Sequence, residues 1–242
     1  MSQVASARAP DPAYRSLYRL GGVAALIVAF LTVAEIIAFA IFPQPSTISG
    51  WFILFEANPI IGLVDFWGLE VPMFAMFAIV FLALYVVLRE VNKSGMTIAL
   101  TLALLGIAIF FATNNPFSML SLSSKYGAAT TDMQRSTLLA AGEAVLAYTN
   151  QRAIGGFNIG LLFVSIAGLI VSSVMLRATS FRRFIAYVGI LTFGLSLADY
   201  LRQAFTSSVI IALLLIIPGA LLIVVWFSLV GRRLLQLGRL RG

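Results

Sequence analysis

Residues Leu20 to Phe42 read LGGVAALIVAFLTVAEIIAFAIF, a continuous apolar run broken only by the charge of Glu35 and stopped by Pro43 and Pro45. A helix needs about 20 apolar residues, rising about 1.5 Å each, to cross the hydrocarbon core of a bilayer. The run meets that length and is too long for the core of a cleavable signal peptide, so it reads as a permanent signal-anchor. One such helix makes the chain a membrane protein. The remaining sequence repeats the pattern.

Five further runs follow. They are Leu69 to Leu88, ended by Arg89; Met96 to Asn115, ended by Pro116; Gly155 to Leu176, closed by Arg177; Phe184 to Ala204; and Ser208 to Val230, closed by Arg232 and Arg233. The expected fold is an all-α integral membrane protein, a bundle of six transmembrane helices. Residues 20–230 form the membrane domain, 1–19 an N-terminal tail and 231–242 a basic C-terminal tail. Composition agrees. Of 242 residues, 61% are hydrophobic and 10% charged, with mean hydropathy +1.02, whereas soluble domains run near about half apolar and about a quarter charged. That length holds one membrane domain and leaves no room for a second, soluble one.

The net charge of +7 does not point to nucleic acid, because the basic residues sit at helix ends. One side holds Arg8, Arg15, Arg19, Arg89, Lys93, Arg177, Arg182, Arg183, Arg232, Arg233, Arg239 and Arg241; the other holds Lys125, Arg135, Arg152 and Arg202. Positive residues stay on the cytoplasmic side. The asymmetry places both termini in the cytoplasm, in agreement with an even number of spans.

Two connections on the outer side are long. In Gly50 to Gly68, Trp51, Phe52, Phe55, Phe66 and Trp67 surround Glu56, Asn58-Pro59 and Asp65, which reads as a segment lying in the interface and broken at Asn58-Pro59. Asp11, Glu56 and Asp65 read as ordinary solvated charges. Between the third and fourth spans, an outer amphipathic helix is expected from Asp132 to Tyr148. Thr131 and Gln134 have capping-box spacing, and Leu138, Ala141, Val145 and Tyr148 recur at helical intervals. It is expected to lie over the bundle as a lid. The arginine–leucine alternation of Arg232 to Arg241 suits an extension of the sixth helix along the inner surface.

The chain has no cysteine and no histidine. Thiol chemistry, disulfides, iron–sulfur clusters and imidazole-based zinc or haem sites are excluded, along with the usual general base near neutral pH. No cofactor is expected. Nucleotide-binding, hydrolase-elbow, zincin and kinase motifs are absent from the sequence, and no internal repeat supports an inverted-repeat transporter.

Charges within spans are costly and therefore mark candidate sites. Glu35 lies seven residues before the outer end of the first span, roughly 10 Å deep. Glu70 opens the second span, Asn114 ends the third, Asn158 sits one turn into the fourth, and Asp199 and Arg202 lie three apart near the end of the fifth. All fall in the outer leaflet, and together they suggest one outward-facing polar pocket. Each also has a structural reading: Glu70 as an interfacial residue, Asn114 and Asn115 as helix stops, Asp199 with Arg202 as a tie between helices. Glu35 needs a donor, and Arg202 is the strongly basic group at that depth. Gly156 and Gly160 form a GxxxG that permits close helix approach. Pro218-Gly219 should kink or loosen the sixth span.

At Tyr18-Arg19-Leu-Gly-Gly, Leu82 to Arg89, Tyr126-Gly-Ala-Ala-Thr-Thr-Asp-Met-Gln-Arg135 and Leu139-Ala-Ala-Gly-Glu143-Ala, the chain resembles a bacterial membrane family catalogued as domain of unknown function 4386. The resemblance extends over about Tyr18 to Val230 and is most specific from Tyr126 to Ala147. It implies a multi-spanning protein of the bacterial cytoplasmic (inner) membrane and no activity, and it makes the outer helix a stronger functional suspect.

Three readings follow. The leading one is a non-catalytic membrane protein, either an accessory subunit with membrane-protein partners or a small-ligand or lipid binder. The second is a small-molecule or ion transporter using Glu35 and Asp199, which wants polar residues through the inner leaflet that the sequence lacks. The third is an intramembrane lipid-modifying enzyme with Glu35, Glu70 or Asp199 as acid or base.

Overall fold

A computed structural model describes residues 11–149, 159–206 and 208–239. Its described elements are helical. A 3-10 turn, Pro12–Tyr14, leads into α1 (Arg15–Ile41), followed by α2 (Ile48–Ala57), α3 (Pro59–Leu63), a π turn (Val64–Gly68), α4 (Glu70–Leu88), α5 (Lys93–Thr113), α6 (Pro116–Gly127), α7 (Asp132–Thr149), α8 (Ile159–Met175), α9 (Arg183–Phe205) and α10 (Val209–Arg239). Five helical stretches are long and apolar enough to cross a membrane: Arg15–Ile41, Pro59–Leu88, Lys93–Gly127, Arg183–Gln203 and Val209–Arg239. The remaining expected span, the fourth, corresponds to α8, which has 17 described residues; its expected start at Gly155, with Gly156, lies outside the described residues.

The long helices form a closed ring. α1 packs on α4, α4 on α5, α5 on α8, α8 on α9, α9 on α10, and α10 back on α1. Chain order is thus ring order, which short connections between antiparallel neighbours produce. The first and last helices close it. Gly22 lies against the Gly231 carbonyl, so close that a Cβ there would stand 2.9 Å from it. The Arg19 Nε donates to the Gly238 carbonyl at 3.0 Å. On the far side, Gly106 of α5 lies against the backbone carbonyl of Gly160 of α8, where a Cβ would clash. Small residues let helices approach where lipid supplies no hydrophobic drive for association. In α10, the most apolar 18-residue window has mean hydropathy 3.0, yet only 17% of it is buried within the fold. Its remaining apolar surface, including Ile210, Leu214 and Leu221, needs lipid.

α10 runs through Arg239, so residues 231 to 239 continue the helix packed on α1. Leu234 and Leu237 there are buried.

The break at Asn58-Pro59 forms as expected. The Asn58 Oδ1 accepts from the Ile61 N–H at 3.1 Å, and Pro59 occupies a first-turn position, where its missing N–H does no harm. The capping box also forms: the Gln134 N–H donates to Thr131 Oγ1 at 3.2 Å, and the Thr131 N–H donates to Gln134 Oε1 at 3.3 Å. Pro116 does more than stop a span. Asn115 caps a new helix, accepting from the Phe117 N–H at 3.0 Å, so the serine-rich stretch is α6. The serines sit among Met119, Leu120 and Leu122, and the Ser123 hydroxyl donates to the Phe52 carbonyl at 2.9 Å.

α2, α6 and α7 share a second core of Trp51, Phe52, Phe55, Phe66 and Met119. It covers one end of the ring, opposite the end where Arg19, Arg89 and Arg233 lie.

Candidate functional site

A cavity of about 320 Å³ opens at the capped half of the ring, lined from α1, α4, α8, α9 and α10, with Trp67 of the π turn at its edge. Its walls are apolar except where carboxyl and hydroxyl groups enter. Glu35 comes from α1, Glu70 from the first turn of α4, and Asp199 from near the end of α9. Three of the six sequence candidates therefore meet.

Their pairing differs from expectation. The Glu35 carboxyl lies within hydrogen-bonding reach of Glu70. Arg202 turns to its own helix: Nε donates to Asp199 Oδ1 at 2.8 Å, and a second guanidinium nitrogen donates to the Thr206 carbonyl at 3.1 Å. Asp199 Oδ2 accepts from Gln203 Nε2 at 2.8 Å. The expected tie between Glu35 and Arg202 gives way to the i,i+3 pair, because a neighbour one turn away is held in reach by the helix itself.

Glu70 is 5% exposed, and its Oε2 is buried without a hydrogen-bond partner among the described residues. Such an acceptor is expensive to leave unsatisfied. Tyr200 stands near enough to both Asp199 and Glu35 to feel their charge. Asp65 acts on Glu70 in the same way. Far from being solvated, Asp65 is fully buried, and its backbone carbonyl accepts from Gln44 Nε2 at 2.9 Å.

Asn114 is buried but lies outside the cavity, where its Oδ1 accepts from the Thr113 hydroxyl at 2.7 Å. Asn158 is outside the described residues. The lid also fails to form as expected. No α7 residue lines the cavity; Gly142 packs instead over Ile48 and Phe52 of α2. Its apolar stripe matches the aromatic face of α2 and α6, a nearer surface than the ring.

Trp67 was legible only as an interfacial aromatic. Its backbone is left-handed, with φ 63° and ψ 10°, the single non-glycine positive φ among the described residues. Such a conformation costs roughly 1–3 kcal/mol and gathers at functional sites. Here it turns the indole toward both the cavity and Phe110, with ring centroids 5.8 Å apart. Below the acids, aromatic rings close the space. Phe74 stacks on Phe110 at 3.8 Å, and Phe77 on Phe227 at 5.1 Å; Trp226 meets Phe193 and Phe227 edge-on at 4.9 and 4.8 Å. Gly219 opens the α10 wall, since a Cβ there would meet only Leu195, at 3.8 Å.

The family model described as domain of unknown function DUF4386 matches residues 63–231. The chain belongs to this family. The match includes Glu70, Asp199 and Trp67, but begins after α1, so Glu35 comes from outside it. No curated protein and no solved structure matches the chain. The DUF4386 region alone thus holds four of the five cavity helices.

Proposed function

We propose that this multi-pass membrane protein binds a small amphiphile whose polar head donates hydrogen bonds or carries positive charge. The carrying observation is the acid-lined, apolar-walled cavity with Glu70 on its wall, the carboxyl oxygen Oε2 of which is buried and unpartnered among the described residues. Small-ligand sites combine largely apolar walls with a few converging polar groups. Here those groups are carboxyls, while the nearby arginine is already engaged by Asp199. An acidic ligand would meet repulsion; an amine or alcohol would meet acceptors.

In this reading α8 crosses as the fourth of six spans, both termini are cytoplasmic, and the cavity opens toward the outer leaflet of a bacterial inner membrane. The basic residues gathered at the opposite end support that orientation. The ligand-binding branch of the sequence reading is favoured over an accessory role because the cavity exists within one chain.

The test compares a straight-chain alkylamine with the alcohol and the carboxylic acid of equal length. The amine should raise the thermal unfolding midpoint most and the acid least, with the amine's effect lost in Glu70→Gln. Equal stabilisation by the acid would overturn the proposal.

Transport is the second reading, favoured by Pro218, which removes a backbone N–H from the continuous α10 beside Gly219 of the cavity wall. The Phe74, Phe77 and Phe227 plug closes the path in this conformation. Movement of the lower half of α10 about Pro218 would have to open it. Uptake of radiolabelled alkylamine into proteoliposomes, abolished by Glu70→Gln, separates transport from binding alone.

A further inference from the structure

A second cavity, of about 430 Å³, lies at the other end of the bundle. Thr179, Phe181, Arg182, Ile185, Leu229, Arg232, Arg233 and Gln236 line it. Three arginines therefore surround one space with no carboxylate on its walls. Arg233 is pre-positioned: its Nε donates to the Ser180 carbonyl at 2.5 Å, and a terminal nitrogen donates to Gln236 Oε1 at 3.2 Å. The side chains of Arg182 and Arg232 are exposed and make no hydrogen bond or ion pair to protein groups among the described residues.

Like charges held together without counter-charge repel one another, so this arrangement is stable only with an anion or with water between the guanidinium groups. Geometry narrows the anion. Guanidinium forks suit phosphate oxygens, which accept paired hydrogen bonds. The first turn of α9 borders the cavity with no side-chain cap, because its cap residue, Arg182, has donors only. A helix start of this kind adds partial positive charge. Phe181, Ile185 and Leu229 supply an apolar flank beside the charges. In the arginine-rich end of a bundle, that combination stands at headgroup depth, where basic pockets between helices hold lipid phosphates.

We propose that this cavity binds an anionic phosphate group through Arg182, Arg232 and Arg233, supplied by a lipid headgroup or by a soluble phosphate. The site shares no residue with the acidic cavity and does not depend on what that cavity holds.

The full chain, purified in nonionic detergent at 0.15 M salt, would be studied by native mass spectrometry with phosphatidylglycerol, phosphatidylcholine or inorganic phosphate. No charged bilayer surface is then present to attract unrelated arginines. One retained phosphatidylglycerol is expected, bound about tenfold more weakly for each arginine removed in Arg182→Gln and Arg232→Gln. The charge-matched control, Arg177→Gln with Arg239→Gln, changes exposed arginines that do not line the cavity and should leave retention intact. If millimolar inorganic phosphate displaces the lipid and binds by itself with the same arginine dependence, a soluble phosphate is the source; if it does not, the headgroup is. Either result upholds the phosphate site. Equal weakening by the control pair, or retention unaffected by both variant pairs, would overturn it. Should the double variant unfold, Arg232→Gln alone carries the same expectations, since Arg232 makes no protein hydrogen bond whose loss would destabilise the helix.

Discussion

At the scale of single residues, the acidic cavity depends on which partner each charge finds. Glu35 and Glu70 face one another across α1 and α4, while Arg202 is committed to Asp199. Neighbouring groups couple and distant ones do not. Glu35→Gln and Glu70→Gln should therefore be non-additive in unfolding free energy, by about 0.5–3 kcal/mol. Glu35→Ala combined with Arg202→Ala should be additive. A reversible-unfolding double-mutant cycle in mixed micelles reads both, and additivity of the two glutamates would separate them. Arg202→Ala strands the buried Asp199 and should destabilise by about 3–5 kcal/mol. Trp67 is the residue to which sequence assigned the least and structure the most. Its left-handed backbone is a product of the chain's path between α3 and α4, and no local pattern of residue types announces it.

Among the elements, caps and stops were readable because they are local chemistry. Asn58-Pro59 and Thr131 with Gln134 form the breaks and caps their spacing implies. Thr131→Ala should lower the protection of the first turns of α7 in hydrogen exchange by about 1 kcal/mol. It should not change alkylamine binding, since α7 does not reach the cavity; a matching loss of binding would restore α7 as a lid. α6 escaped the reading because proline was taken as an end, when after an asparagine cap it is equally a beginning. The partner of α7 could not be read either. An amphipathic stripe shows that a helix needs an apolar surface, without saying which one, and here α2 and α6 lie nearer than the ring. Gly22→Leu would push a side chain into the Gly231 carbonyl where α1 meets α10.

For the whole molecule, the ring joins its first helix to its last, and the two ends carry opposite chemistry: acids beneath the α2–α7 cap, arginines at the far end. Orientation is directly measurable, because the chain has no cysteine and a single introduced one reports alone. With six spans and cytoplasmic termini, Thr137→Cys on α7 should react with a membrane-impermeant maleimide in intact cells. Thr179→Cys, between α8 and α9, should react only after permeabilisation. Both side chains are exposed. Labelling of the two from the same side would show that α8, the helix between them, does not cross the membrane; the opposite pattern, Thr179→Cys in intact cells and Thr137→Cys only after permeabilisation, would reverse the assignment of the ends.

Sequence alone determined the class, the places of the five long apolar helices and several of the caps and stops that bound the elements. Those follow from transfer free energies and capping chemistry that each segment carries within itself. It also named Glu35, Glu70 and Asp199, because a charge in an apolar span is conspicuous wherever the span packs. Only the tertiary structure decided that these three meet in one cavity, that Arg202 serves Asp199, that Asp65 is buried, and that Arg232 and Arg233 of α10 enclose a second space with Arg182 at the start of α9. Such facts depend on the rotation of each helix about its axis and on which helix stands beside it. Contacts between segments distant in the chain set both, and no window of sequence contains them.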